Sequence, residues 1–188
     1  MEKPRLFEEY AYVLDYIFYR GPTLRVRSGY RARALVQVIG ESYFTLLEAV
    51  VKEGVVLKAH DRVYIGKAPR DKITYILGRI GYDKLTANAK VELPLVVEKI
   101  VLRREKWFVE FFNRAQAITP RMHALELIPG IGKKYMWQII NERERKPFES
   151  FKDLQQRANI PNPVKLLTKR ILEELASEGK YRLFTRAP

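Results

Sequence analysis

Lys133 and Lys134 follow directly on Pro129-Gly130-Ile131-Gly132, and no other stretch of the chain is as well suited to holding a phosphate. Glycine permits φ > 0 and leaves bare backbone that a ligand approaches closely. The spacing predicts one helix ending at Ile128, a glycine turn, and a second helix starting near Lys133. Ile131 is expected to point inward as a plug while the amides of Gly130, Gly132 and Lys133 point outward. Amides at a helix N-terminus lack intrahelical acceptors, and the helix dipole there favours an anion. Two lysines in the same first turn are disfavoured by that dipole. Their placement suggests that they serve a ligand outside the helix.

A second set of cations lies earlier. Arg20, Arg25, Arg27, Arg31 and Arg33 fall within fourteen residues that contain no acid, with Tyr30 among them. Arginine beside an exposed aromatic is the composition that holds a phosphodiester backbone and stacks bases. Lys67 and Arg70, in the loop Gly66-Lys67-Ala68-Pro69-Arg70, add to this face.

Other chemistries are poorly supplied. With no cysteine in the chain, a disulfide framework, thiolate metal sites and a cysteine nucleophile are excluded. His60 beside Asp61, and His123 alone, lack further ligands at metal-site spacing, so no metal and no cofactor is expected. There is no Ser/His/Asp order and no P-loop. Asp153 reads as a helix cap and not as a catalytic acid.

The whole chain, 188 residues with net charge +13, is strongly basic for its length. Both parts, cut at Ile118, are basic, so the charge is not a detachable tail. Phosphate-rich partners are the usual reason for such a balance. No apolar run approaches membrane-spanning length, and the charged N-terminus does not read as a signal peptide. A cytoplasmic protein with no membrane association is the expectation.

The elements that must position these residues fall into two patterns. Alternation over 7–19, with Tyr10, Tyr12, Leu14, Tyr16 and Phe18 on one face, predicts a strand. Val36–Ile39 and Tyr43–Val51 around Gly40-Glu41-Ser42 predict a hairpin, with Val55–Leu57 continuing extended. Asp61–Ile65 and Ile73–Ile80 complete a small antiparallel barrel, OB-like by economy, with an SH3-like barrel as the alternative. From Asp83 the pattern is helical. A short helix is expected over Leu85–Val91, then a longer one with Pro94 near its first turn, running to Phe112. The aromatic cluster of this second helix reads as core. Thr119-Pro120 is expected to cap the helix before the glycine turn, and Ser150-x-x-Asp153 to cap a later one. The fold class expected is therefore α+β in two parts: an OB-like barrel over 1–82, a helical connector over 83–118, and an all-α region over 119–188.

The glycine turn and its flanking helices resemble the helix-hairpin-helix family, which grips the backbone of DNA or RNA without reading bases. An aliphatic residue, Pro, Gly-Ile-Gly, and the paired Ile139-Ile140 carry the resemblance. Met136 departs from it, standing where the family has alanine. Over roughly 119–176 the order looks like a tandem unit of two hairpins. In the second, Pro161-Asn162-Pro163 stands where the glycine turn belongs, and proline supplies no N–H. That half is expected to support packing, with Lys165, Lys169 and Arg170 as its only contribution. Asp153 lies about where DNA glycosylases of this superfamily place a catalytic aspartate, but nothing resembling a base pocket accompanies it.

The full chain also resembles an archaeal family catalogued as domain of unknown function 655, described as predicted nucleic-acid-binding proteins. The residues that carry this are Gly40–Glu48, Tyr64-Ile65-Gly66-Lys67, Arg70–Ile73, Phe111-Phe112-Asn113, the glycine turn and Pro147–Phe151. The resemblance implies an OB-like N-terminal part and a helix-hairpin-helix C-terminal part, and no established activity. The expected function is non-catalytic binding of nucleic acid, RNA before DNA. An adaptor on the ribosome or RNA polymerase is the next reading, and a nuclease or base-modifying enzyme the third. The sequence does not indicate an oligomeric state.

Overall fold

A computed structural model describes residues 7–20, 24–25 and 31–186, with the side chains of 24, 25, 31 and 32 left out. Arg27 and Tyr30 of the expected arginine face lie outside the described residues. The chain is α+β: a curled five-stranded antiparallel sheet, two small two-stranded ladders and five α-helices among the described residues.

The sheet consists of β1 (Tyr10–Phe18), β4 (Ala34–Gly40), β5 (Leu46–Val51), β6 (Arg62–Tyr64) and β7 (Ile73–Arg79), in the order β6-β1-β4-β5-β7. Between β1 and β4, β2 (Leu24–Arg25) pairs with β3 (Arg31–Ala32). Alternate residues Ala11, Val13, Val36, Val38, Leu47, Ala49 and Val51 fill the inside of the curl with Val63, Ile65 and Ile73. The aromatic face expected on β1 is broken by a bulge. Val13 pairs with Val38 and Asp15 with Gln37, which leaves Leu14 as the extra residue and turns Tyr16 toward the core.

Every pair in the sheet is antiparallel, so edge strands β6 and β7 run in the same direction. Residues 65–72 bridge those edges. The Ile65 amide donates to the Glu9 carbonyl at 2.8 Å, and the Lys52 amide donates to the Lys72 carbonyl at 2.9 Å. Arg62 sits bidentate on Glu41, at 3.1 Å from Nε and 2.9 Å from Nη2, and covers the Tyr10 ring at 3.6 Å.

Several expected elements differ. Residues 43–45 lie outside β5, and no strand covers Val55–Leu57. The two helices expected around Pro94 are one, α1 (Ala87–Arg103), with Pro94 inside it. The Thr86 hydroxyl caps its start by accepting the Ala89 amide at 3.0 Å. An internal proline costs about 3 kcal/mol; full burial of Val96, Val97, Ile100 and Val101 offsets that. The chain breaks instead at Arg104, before α2 (Glu105–Arg114). Phe108 and Phe112 of α2 are buried, as a core cluster should be, whereas Trp107 is exposed.

Thr119-Pro120 does not cap a helix. It belongs to a hairpin of β8 (Ala117–Thr119) and β9 (Met122–His123), in which the Thr119 hydroxyl accepts the Arg121 amide at 3.3 Å. The helix expected before the glycine turn is a single 3-10 turn, Ala124–Leu127. After the turn come α3 (Lys133–Arg145), α4 (Phe151–Ala158) and α5 (Pro163–Ala176). The Ser150 cap is present, accepting the Asp153 amide at 3.0 Å.

By contact the chain divides into two compact units, Met1–Val96 with Leu175–Pro188, and Val97–Glu174. The boundaries expected after 82 and 118 differ from this division. Helices α1 and α5 each straddle a cut, and the last residues join the sheet unit, where the Arg186 amide donates to the Tyr43 carbonyl at 3.3 Å. Among the described residues no helix is long and apolar enough to cross a membrane.

Candidate nucleic-acid interface

The glycine turn is held from both sides within its unit. Upstream, His123 caps the 3-10 turn: its Nδ1 accepts the Leu125 amide at 3.1 Å, and the Glu126 carboxylate accepts the His123 amide at 2.9 Å. Burial, with Arg143 nearby, lowers the His123 pKa below the ordinary histidine value, which keeps Nδ1 an acceptor. The Ile131 amide donates back to the Ile128 carbonyl at 3.0 Å and closes the turn over Pro129 and Gly130. Gly130 has φ +90°, and a Cβ there would come 3.0 Å from Leu166 of α5. Ile131 is buried and acts as the expected plug. Arg170 of α5 donates to the Leu127 carbonyl at 3.1 Å and pairs with buried Glu174 at 2.9 Å.

Gly132 differs from Gly130. It is the N-cap of α3 with φ −87° and ψ −173°, ordinary extended backbone, and a Cβ there would meet nothing within 4 Å. Neither conformation nor space requires glycine. It also supplies no capping side chain, where Ser, Thr, Asp or Asn would cap the helix better. The amides of Gly130, Gly132, Lys133 and Lys134 have no acceptor among the described residues. The result is a patch of outward N–H groups at the positive end of a helix, with bare backbone beside it.

The two lysines are unequal. Lys133 reaches back to Glu126 at 3.1 Å. The His123 amide, and after it Lys133, holds the Glu126 carboxyl below its usual range. Lys134 is exposed and has no partner among the described residues. Trp137, three residues beyond Lys134, is also exposed, and sequence reasoning missed it. The signal was available: positions three and four apart share a helix face. Met136 is buried.

The second turn is built differently. Asn162 has φ +44° and its side chain accepts the Lys165 amide at 3.2 Å, while Pro163 opens α5 without an N–H. Lys165 and Lys169 are exposed, but Arg170 is spent on Leu127 and Glu174. Asp153 is a cap, not a free acid. It accepts the Glu149 amide at 3.0 Å and pairs with Arg157 at 3.1 Å. Burial acts to raise its pKa, and those two partners outweigh it to give a net lowering. Arg157 in turn donates to the Glu142 and Lys146 carbonyls at 2.7 and 2.6 Å, covers the Phe148 ring, and joins the end of α3 to α4.

In the sheet unit, Lys67 and Arg70 line one pocket, while Arg33 is exposed and is not among its lining residues. Arg25 and Arg31 are paired across the β2–β3 ladder. His60 contacts Glu92 at 2.5 Å, and among the described residues no group of three acids or histidines could hold a metal ion.

Known proteins resemble this chain over nearly all of its length. It is 47% identical over 186 residues to the uncharacterised protein MJ0038 of Methanocaldococcus jannaschii, a match covering 98% of this chain and 82% of that one. Its fold is similar to the crystal structure of Af1531 from Archaeoglobus fulgidus, with a TM-score of 0.83 and 49% identity, covering 95% of this chain and all of that one. The model of the family described as "Protein of unknown function (DUF655)" matches residues 7–186, and the chain belongs to that family.

Proposed function

We propose that this protein is a non-catalytic nucleic-acid-binding protein, with RNA as its ligand, that grips phosphates through Gly130-Ile131-Gly132 and Lys134. The observation that carries the reading is Gly132. Neither backbone conformation nor crowding requires glycine there, and glycine leaves four unsatisfied amides open to close approach. Trp137 offers a stacking surface beside them, and stacking tolerates any base.

In this reading the region 119–176 is a helix-hairpin-helix unit with one working turn, and the curled sheet is an open OB-like barrel. Unpaired RNA suits such a barrel, because its bases are free to stack and pair along their edges. The protein then works in the cytoplasm. A single turn holds about two or three phosphates by helix N-terminus geometry, so the sheet unit supplies the remaining contacts.

The test is a salt titration of binding to single-stranded RNA and to DNA of the same sequence. A log–log slope of magnitude about 3–6 is expected if several phosphates are neutralised, with RNA bound more tightly. A flat salt response would remove the proposal.

A further inference from the structure

The sheet unit contains a pocket of about 360 Å³ whose walls belong to different parts of the chain. Phe7, Leu47, Ile65 and Ile76 make its apolar surface, and Lys67, Arg70, Arg79 and Arg186 bring four cations to it. Its size and its mix of apolar wall with few polar groups are those of a small-molecule site.

One acid, Glu8, lines the pocket beside these four cations. Both Glu8 carboxylate oxygens are taken by the amides of Ser42, Tyr43 and Thr45, at 2.8, 2.9 and 3.2 Å. Arg70 uses Nε on the Gly66 carbonyl at 2.9 Å, leaving its terminal nitrogens without an acceptor among the described residues. Arg79 has no hydrogen-bonded acceptor among them. Partial burial, and next repulsion by the neighbouring Arg186, lower its pKa, while Glu8 acts the other way. An anion between the two arginines relieves that repulsion. Thr45, also in the wall, carries a buried hydroxyl with no partner, a cost that a polar ligand edge can offset.

Phe7 is exposed and its ring carries Lys67 Nζ at 4.6 Å from the centroid. An aromatic surface beside a forked set of arginines is complementary to a flat ring bearing a phosphate. We infer that this pocket binds one nucleotide, its base against Phe7 and the apolar wall and its phosphate between Arg79, Arg186 and Arg70. The inference rests on the proposed function only for choosing a nucleotide among ring-bearing phosphates. A free mononucleotide and the phosphorylated end of a strand present the same chemistry.

Calorimetric titration of the full chain with AMP, GMP, CMP and UMP, and separately with inorganic phosphate and with adenosine, tests it. The monophosphates are expected to bind, and phosphate or adenosine alone to bind about tenfold more weakly or worse, since each keeps only part of the contacts. Arg79→Ala and Arg186→Ala, both on exposed residues and checked for folding by thermal melting, should each weaken nucleotide binding about tenfold. Absence of mononucleotide binding, equal affinity for bare phosphate, or full affinity in both arginine variants would overturn the inference. Short RNAs with and without a terminal phosphate identify the source: preference for the phosphorylated end assigns the pocket to strands, and equal binding assigns it to free nucleotides. Oligonucleotide binding that depends on Gly132, without any mononucleotide binding, removes the pocket and leaves the proposed function standing.

Discussion

The helical unit contains two turns that use the same backbone device for different ends. Gly130 at φ +90° and Asn162 at φ +44° both reverse the chain just before a helix. At the second turn fewer amides stay open: Asn162 caps Lys165, Pro161 and Pro163 have no N–H to offer, and the amides of Asn162 and Val164 are left without an acceptor among the described residues. At the first, the cap position is a glycine and four amides stay open. Helix α5, launched by the second turn, also holds the first. Leu166 lies against Gly130, and Arg170 takes the Leu127 carbonyl. The turn that offers fewer amides acts as scaffold, and the one it supports presents more of them to a ligand.

Breaking the scaffold should have the largest effect. Arg170→Ala removes both the Leu127 contact and a partner of buried Glu174, and a loss of about 3–5 kcal/mol in denaturant unfolding is expected for a broken buried pair. A change under about 1 kcal/mol would mean that the second turn does not hold the first. Next in size is Gly130→Ala. The positive φ and the close Leu166 methyl predict a loss of about 1–3 kcal/mol. Wild-type stability there would contradict the division of labour between the two glycines.

Much of this contrast is legible in the amino-acid sequence. Pro161-Asn162-Pro163 announces a turn with two of its N–H groups missing, and Ser150 announces its cap. The inward Ile131 follows from an aliphatic residue between two glycines. The features that sequence spacing does not reveal are those made by distant residues. Arg170 reads as a surface cation because its partners, Leu127 and Glu174, come together with it only in the fold. Thr119-Pro120 has the composition of a helix start, but the hairpin pairing of Ala117 with His123 overrides it. The regular face of β1 ends at Leu14, where a bulge changes the alternation without any mark in the sequence. Arg79 and Arg186 lie far apart in the chain, so no spacing rule brings them to one pocket.

Two smaller effects sharpen the open turn. Lys134→Ala should lower the magnitude of the salt slope of RNA binding by about 0.7, the share of one phosphate on a single strand, and should weaken all sequences equally. Selective loss for one sequence would show that the turn reads bases. Acidification acts on the cap beneath it. The His123 pKa is lowered in the fold, first by burial and then by Arg143, so the unfolded chain binds the proton more readily. The cap's contribution is complete above the ordinary histidine range near about 6.5 and is lost as pH falls below it. A mild fall in melting temperature below that pH is expected, and His123→Asn, which keeps a capping acceptor, should reduce it.

The claim at the centre of this account is that Gly132 serves a ligand and not the fold. Gly132→Ala, measured side by side for unfolding and for RNA binding, tests it directly. Ordinary φ and open space around the added methyl predict stability within about 1 kcal/mol of the parent, the cost of a poorer N-cap. RNA affinity is predicted to fall about tenfold or more, as amide–phosphate contacts are held apart. A variant that folds equally well and binds RNA as tightly as the parent would contradict the account.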